Sequence, residues 1–176
     1  MAAIINTKKQ VTVPFTLLLG VLFAGLPWAA AKPEPTNGDN ARFLLSGEGS
    51  GRATAYIESP KIISFAGRTH AAWLDTPEEG FRVRIRTLDH ASGEWSKTIT
   101  IGEADNNHGG PALTVDAEGT LHVLYFSHHH PFRYRKSVRP NDATEWTAYE
   151  EFGTNLTYPA LVCAKDGTLI MTGRRS

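Results

Sequence analysis

The sequence predicts an all-β protein built as a β-propeller, and three observations carry that reading. Runs of Val, Ile, Leu, Thr and aromatic residues are short and often alternate with polar ones, the period of strands rather than of helices. Sixteen Gly and ten Pro in 176 residues separate these runs with turns. A unit of about fifty residues recurs, which is the size of a four-stranded propeller blade. A two-sheet sandwich would accommodate the strands but not the regular repeat.

The repeat is anchored on proline. PKIISFAG (60–67) leads into RTHAAWL, PALTVDAEG (111–119) into TLHVLYF, and PALVCAKDG (159–167) into TLIMTGR. The three prolines stand 51 and 48 residues apart. Each unit is a short apolar strand, a tight turn closed by Gly and a second apolar strand; AEG and KDG are good hairpin-turn chemistry. Two further strands are expected before the next unit. In the first blade these are 81–88, where Val83 and Ile85 alternate with Arg82, Arg84 and Arg86, and 96–101, joined by DHASGEW. In the second they are 132–138 and 146–152, joined by RPNDATE.

Residues 1–31 read as a signal peptide. Lys8 and Lys9 form a positive start, 11–28 is apolar, and Ala29, Ala30 and Ala31 supply small residues for cleavage before Lys32. Residues 32–48, beginning KPEPTNGDN, read as a polar linker, and 49–176 as a partial propeller. Only about three blades fit after residue 41, against the usual 4–8. The expectation is therefore the N-terminal part of a longer, exported protein, periplasmic or extracellular, with no membrane span after cleavage.

Charge and cysteine content exclude several classes. Eighteen Lys and Arg balance eighteen Asp and Glu, so no basic surplus points to nucleic acid. The single cysteine, Cys163, excludes an internal disulfide framework and a multi-thiolate metal site.

The repeat separates framework from exception. His70 and His122 both lie three residues after the turn glycine, so they read as structural. The positions just before each repeat proline are equivalent: Ser59, then His108-Gly109-Gly110, then Tyr158. So are those just after each second strand: Asp75, His128 and Arg174. His108 lies in the irregular approach Asp105-Asn106-Asn107-His108, where two glycines would let the backbone come close to a ligand. Alternation along a strand puts His128 and His130 on one side and His129 on the other. Neither thiolates nor repeated carboxylates accompany them, so no metal site is assigned. No cofactor is expected, and a structural ion stays open. Trp73, Tyr125, Phe132 and Tyr134 read as core, with sugar stacking as the alternative.

Together NHGGPAL (107–113), GTLHV (119–123), HHHPFRYRKS (128–137), Arg139-Pro140 and TYPAL (157–161) resemble the BNR-repeat-containing propeller family, which includes seven-bladed ulvan lyases. The resemblance covers about 49–176. It implies seven blades in the complete protein and an active site of two histidines, a tyrosine and an arginine. The matching positions are His108, His128, Tyr158 and Arg174, with Asn107 beside them in the motif. His108, Tyr158 and Arg174 are the expected catalytic residues, and His128 and Asn107 the substrate-binding ones.

The residue types suit elimination on a 4-linked uronate. Arg174 can face the carboxylate and stabilise the carbanion-like state. His128 is a further donor. His108 and Tyr158 can act as base and acid, and which takes the C5 proton stays open. The expected function is a secreted polysaccharide lyase acting as a monomer on an acidic polysaccharide or oligosaccharide. The family also holds an α-L-rhamnosidase branch, so a glycoside hydrolase is an alternative. Its carboxylate candidates are Asp75 and Asp105. A non-catalytic glycan-binding propeller is the third reading.

Overall fold

Ten strands and no helix make up the described part of the computed structural model, which covers residues 2–5 (backbone alone), 43–54 and 60–175. The chain divides into two compact units, Met1–Lys8 with Leu45–Ser176, and Lys9–Leu44. Phe43 and Leu44 apart, the second unit lies outside the described residues. So do Ser59, the front of the linker, and the signal-peptide segment other than strand β1 (Ala2–Ile5).

The first blade is the sheet β2 (Ile62–Phe65), β3 (Arg68–Asp75), β4 (Arg82–Asp89) and β5 (Ile99–Glu103), paired in that order and antiparallel throughout. Val83 and Ile85 are fully buried while the intervening arginines are partly exposed, as the alternation predicts. The fourth strand starts three residues later than expected. Trp95 makes only an isolated bridge to Leu88, and the Ser96 hydroxyl accepts from the Thr87 N–H at 2.9 Å. Residues 46–49 are already pinned to this blade. The Ser46 hydroxyl donates to Asp75 Oδ2 at 2.9 Å, and Gly49 bridges Asp75.

The second sheet runs β6 (Ala112–Val115), β7 (Leu121–Tyr125), β8 (His130–Lys136), β9 (Glu150–Cys163), β10 (Leu169–Arg175), β1. The 146–152 strand and the first strand of the third unit, expected to be separate, are one fourteen-residue strand. Its front half pairs with β8 and its back half with β10, and Leu156 is partnered on both sides. Positive φ at Gly153, Asn155 and Tyr158 bends the strand between its two partners. The hairpin between β6 and β7 closes as predicted: Gly119 has φ +90°, and a Cβ there would stand 2.8 Å from the Phe65 ring.

The cores lie between blades. Leu74, Val83, Ile85 and Ile101 of the first pack against Leu113, Leu121, Val123 and Tyr125 of the second. Leu124 and Phe132 face the other way, onto Leu156, Leu161, Leu169 and Met171. All five residues of β7 are buried, because its two faces serve two cores. Trp73, Tyr125 and Phe132 are core side chains, as read from the sequence.

His70 and His122 are framework too. His70 Nε2–H donates to Asn141 Oδ1 across the blade boundary at 2.9 Å, and its Nδ1 accepts from Thr87 at 2.8 Å. Asn141 also donates to the carbonyl of Phe65, and its own carbonyl accepts from Arg68 at 2.7 Å. His122 sits between Asp116 Oδ2 at 3.2 Å and the Tyr134 hydroxyl at 2.7 Å. Burial, with Glu150 and Asp116 nearby, pushes the Tyr134 phenol up to about 12, so it stays protonated and donates. Burial also lowers the pKa of both histidines.

Two outcomes follow. Asn141→Ala leaves a buried imidazole N–H without its acceptor and should cost about 1–3 kcal/mol, read as a lower unfolding midpoint of the full-length protein. Because the folded pKa values of His70 and His122 are depressed, the unfolded state binds more protons. Their contribution is present above the ordinary histidine pKa, about 6.5, and is lost as pH falls through the lowered folded values. The unfolding temperature should drop on acidification from about pH 7, and less so in His70→Gln.

Candidate active site

The blade arithmetic brings four side chains from distant parts of the chain together. His108 precedes β6, His128 follows β7, Tyr158 lies at the bend of β9, and Arg174 lies near the end of β10. The rings of His108 and His128 stack with centroids 4.1 Å apart and planes at 28°. Tyr158 stands edge-on to His108 at 6.3 Å. The Arg174 guanidinium lies over the Tyr158 ring, 4.8 Å from its centroid. Register explains the last contact: Arg174 pairs with Thr157, next to Tyr158, after a bulge beyond Thr172.

The backbone is strained at this cluster. His128, His129 and Tyr158 have φ of +143°, +62° and +54°, conformations that cost of order 1–3 kcal/mol each for residues with a Cβ. His128 and His129 therefore belong to a turn and not to a strand end. Simple alternation does not hold there, and their rings lie 4.3 Å apart. His130 starts β8 and faces Asp105 at 3.6 Å. Of the two glycines after His108, Gly109 is required by packing: a Cβ there would stand 2.4 Å from that of Ala104, whereas one on Gly110 would meet only Lys61 at 3.8 Å.

Two further residues complete the cluster, and neither was singled out from the sequence. Asn106 touches both histidines. Its Oδ1 accepts from the His108 backbone N–H at 2.9 Å and from His108 Nδ1 at 3.1 Å, while its Nδ2 donates to His128 Nδ1 at 2.7 Å. Asn107, chosen instead, is half-buried and makes none of these contacts. Arg52 Nη1 donates to His108 Nε2 at 2.5 Å. An asparagine two residues before a histidine is a familiar local turn signal. Arg52, 56 residues away, carries none.

The electrostatics favour neutral imidazoles. The pKa of His108 is lowered by desolvation first, then by Arg52, His129 and Arg174. That of His128 is lowered by desolvation and by its histidine neighbours, with Asp105 opposing. Of the two carboxylates considered for hydrolysis, Asp75 is fully buried and committed to structure. It accepts from Trp73 Nε1 at 2.5 Å and from Arg84 at 2.8 Å. Asp105 is exposed at the edge of the cluster and accepts from Asn106 at 2.9 Å. Among the described residues no group of three or more His, Cys, Asp and Glu is placed to hold a metal ion, and no helix is long and apolar enough to cross a membrane.

Four-stranded blades whose loop ends converge on such a cluster define a repeat-built β-propeller. Residues 68–176 match the BNR repeat-containing family, and the chain belongs to it. It is 21% identical to an ulvan lyase of Alteromonas sp. (strain LOR), over 93% of this chain and 39% of the relative. It is 22% identical to one of Nonlabens ulvanivorans, over 81% and 36%. The chain thus spans well under half the length of the curated relatives it matches. A solved ulvan lyase, bound to GlcA(1-4)Rha3S, superposes with a TM-score of 0.62 at 22% identity, over 73% of this chain and 34% of that one. A polysaccharide lyase structure superposes at 0.52 and 16% identity, over 78% and 40%.

The Arg52 contact is open to direct measurement. In an NMR pH titration of the full-length protein, His108 and His128 should both titrate below the ordinary histidine value. Arg52→Ala should raise the His108 midpoint and leave His128 nearly unmoved, since the Arg52 charge acts on the first ring and not on the second. An unmoved His108 would remove Arg52 from the site.

Proposed function

We propose that the full-length protein is an exported polysaccharide lyase that cleaves a uronate-containing, ulvan-like glycan by β-elimination. The observation that carries the reading is the convergence of His108, His128, Tyr158 and Arg174, with two imidazoles held neutral beside a guanidinium. The ulvan-lyase relatives support the same substrate class.

The reaction needs three things. Arg174 and His128 donate hydrogen bonds to the uronate carboxylate, so that the charge developing at C5 is stabilised more in the transition state than in the ground state. His108 Nε2 takes the C5 proton once Arg52 has swung away. The C5–H electron pair becomes the C4–C5 double bond, the C4–O4 bond breaks, and the Tyr158 hydroxyl supplies the proton to O4. His108 and Tyr158 are then reset by proton exchange with water.

The signal-peptide reading of residues 1–31 supports export, and the near-balanced charge supports a glycan rather than a nucleic-acid partner. The full-length protein should generate absorbance at about 235 nm from the conjugated unsaturated uronate. Reducing ends without that absorbance would mean a hydrolase, and glycan retention without turnover a binding propeller. Arg174→Lys should leave folding intact and lower turnover by about 10²–10³, because an ammonium cannot grip a planar carboxylate with two parallel hydrogen bonds. Arg175→Lys, one residue further along the strand, should change little. Equal turnover of Arg174→Lys and wild type would remove Arg174 from the reaction.

A further inference from the structure

Asn106 makes hydrogen bonds of opposite polarity to two stacked imidazoles. Its orientation is fixed from outside the rings. The His108 backbone N–H can only donate, so the atom it meets at 2.9 Å must be the amide oxygen. His108 Nδ1 meets the same oxygen at 3.1 Å and must therefore carry a hydrogen. Arg52 reaches that answer independently: a guanidinium has donors alone, so His108 Nε2, which it contacts, must offer a lone pair. The amide nitrogen faces the other way with two hydrogens. One goes to Asp105 Oδ2 at 2.9 Å and one to His128 Nδ1 at 2.7 Å. His128 Nδ1 is therefore an acceptor, and the neutral ring carries its hydrogen on Nε2. The amide thus uses both lone pairs and both hydrogens.

We propose that Asn106 is a positioning residue that sets opposite neutral tautomers on His108 and His128, leaving a proton acceptor at Nε2 of the first and a donor at Nε2 of the second. Stacked 4.1 Å apart, the two rings are the same chemical group. One amide between them makes them chemically unlike, so that one can remove a proton while the other hydrogen-bonds an anion. Aspartate has the same shape but no donor, and alanine neither donor nor acceptor. The catalytic consequence rests on the lyase reading; the tautomers do not.

The test uses the full-length protein labelled with 15N-histidine, with ring nitrogens correlated to ring protons at a pH above both titrations. His108→Gln and His128→Gln assign the signals. In wild type, His108 should carry its hydrogen on Nδ1 and His128 on Nε2. In Asn106→Asp the carboxylate can only accept, so His128 should move its hydrogen to Nδ1 while His108 keeps its tautomer. On a uronate polymer that wild type cleaves, this variant should lose about 10²-fold in kcat with KM changed less than about twofold. The same tautomer on both wild-type rings, or an unchanged His128 in Asn106→Asp, would overturn the proposal. Should that variant not fold, the wild-type spectrum alone decides. If the tautomers behave as stated and no uronate polymer is cleaved, the assignment stands and the lyase reading fails.

Discussion

A four-stranded blade has two faces and can bury only one against a single neighbour, so each blade needs another on its second side. Strand β7 shows this constraint most directly. Leu121, Val123 and Tyr125 enter the core shared with the first blade, while Leu124 enters the core shared with the third unit. Fully burying such a side chain contributes about 1.5–3 kcal/mol, and here both faces of one strand contribute. Polar contacts repeat the logic at the blade edges. His70 reaches Asn141, Arg68 reaches the Asn141 carbonyl, and Arg135 reaches the Ile101 carbonyl at 2.7 Å, each across the same boundary.

The site is a by-product of this stacking. When blades pack face to face, their entry and exit loops gather at one end, and residues remote in sequence but equal in blade position become neighbours. His108 and Tyr158 precede equivalent strands, and His128 and Arg174 follow equivalent strands. The packed cores hold the loops in place, which is what allows His128, His129 and Tyr158 to keep backbone angles that a free loop would relax. Phe132 makes the link visible. It is fully buried, and a Cβ on Gly173, next to Arg174, would stand 2.9 Å from its ring. The position of the guanidinium is thus tied to the core.

Much of this was legible in the sequence because it repeats. The Gly-closed hairpins, the two framework histidines and the convergence of four loop residues follow from aligning one blade with the next. What does not repeat stayed hidden. The fusion of two expected strands into β9 depends on Leu156 finding partners on both sides, a tertiary circumstance with no local signature. Asn106 and Asn107 are chemically identical in sequence, and the turn alone decides which amide faces the imidazoles. Arg52 belongs to the segment leading into the first blade, and its pairing with His108 is a contact between blades. The glycines after His108 were legible as special, but the close packing of Gly109 against Ala104 was not.

The chain as a whole carries no net charge, yet the cluster is cationic in character, and the reason is where the carboxylates are committed. Asp75 is buried against Arg84, which Glu48 also holds. Arg139 takes Asp142 and Glu145, and Arg133 takes Glu151. These pairs stitch blades and turns away from the clustered rings. At the site Arg52 and Arg174 face imidazoles and a phenol, with Asp105 at the margin. Desolvation first, and then the neighbouring charges, disfavour a further cation there, so the histidines stay neutral and keep the lone pair that a base requires. An incoming carboxylate would change the balance. It would draw Arg174 and the His128 donor, and its negative charge would raise the basicity of His108 as it binds. On the proposed lyase reading, the free site would thus hold a weak, neutral base whose strength increases as an acidic substrate binds.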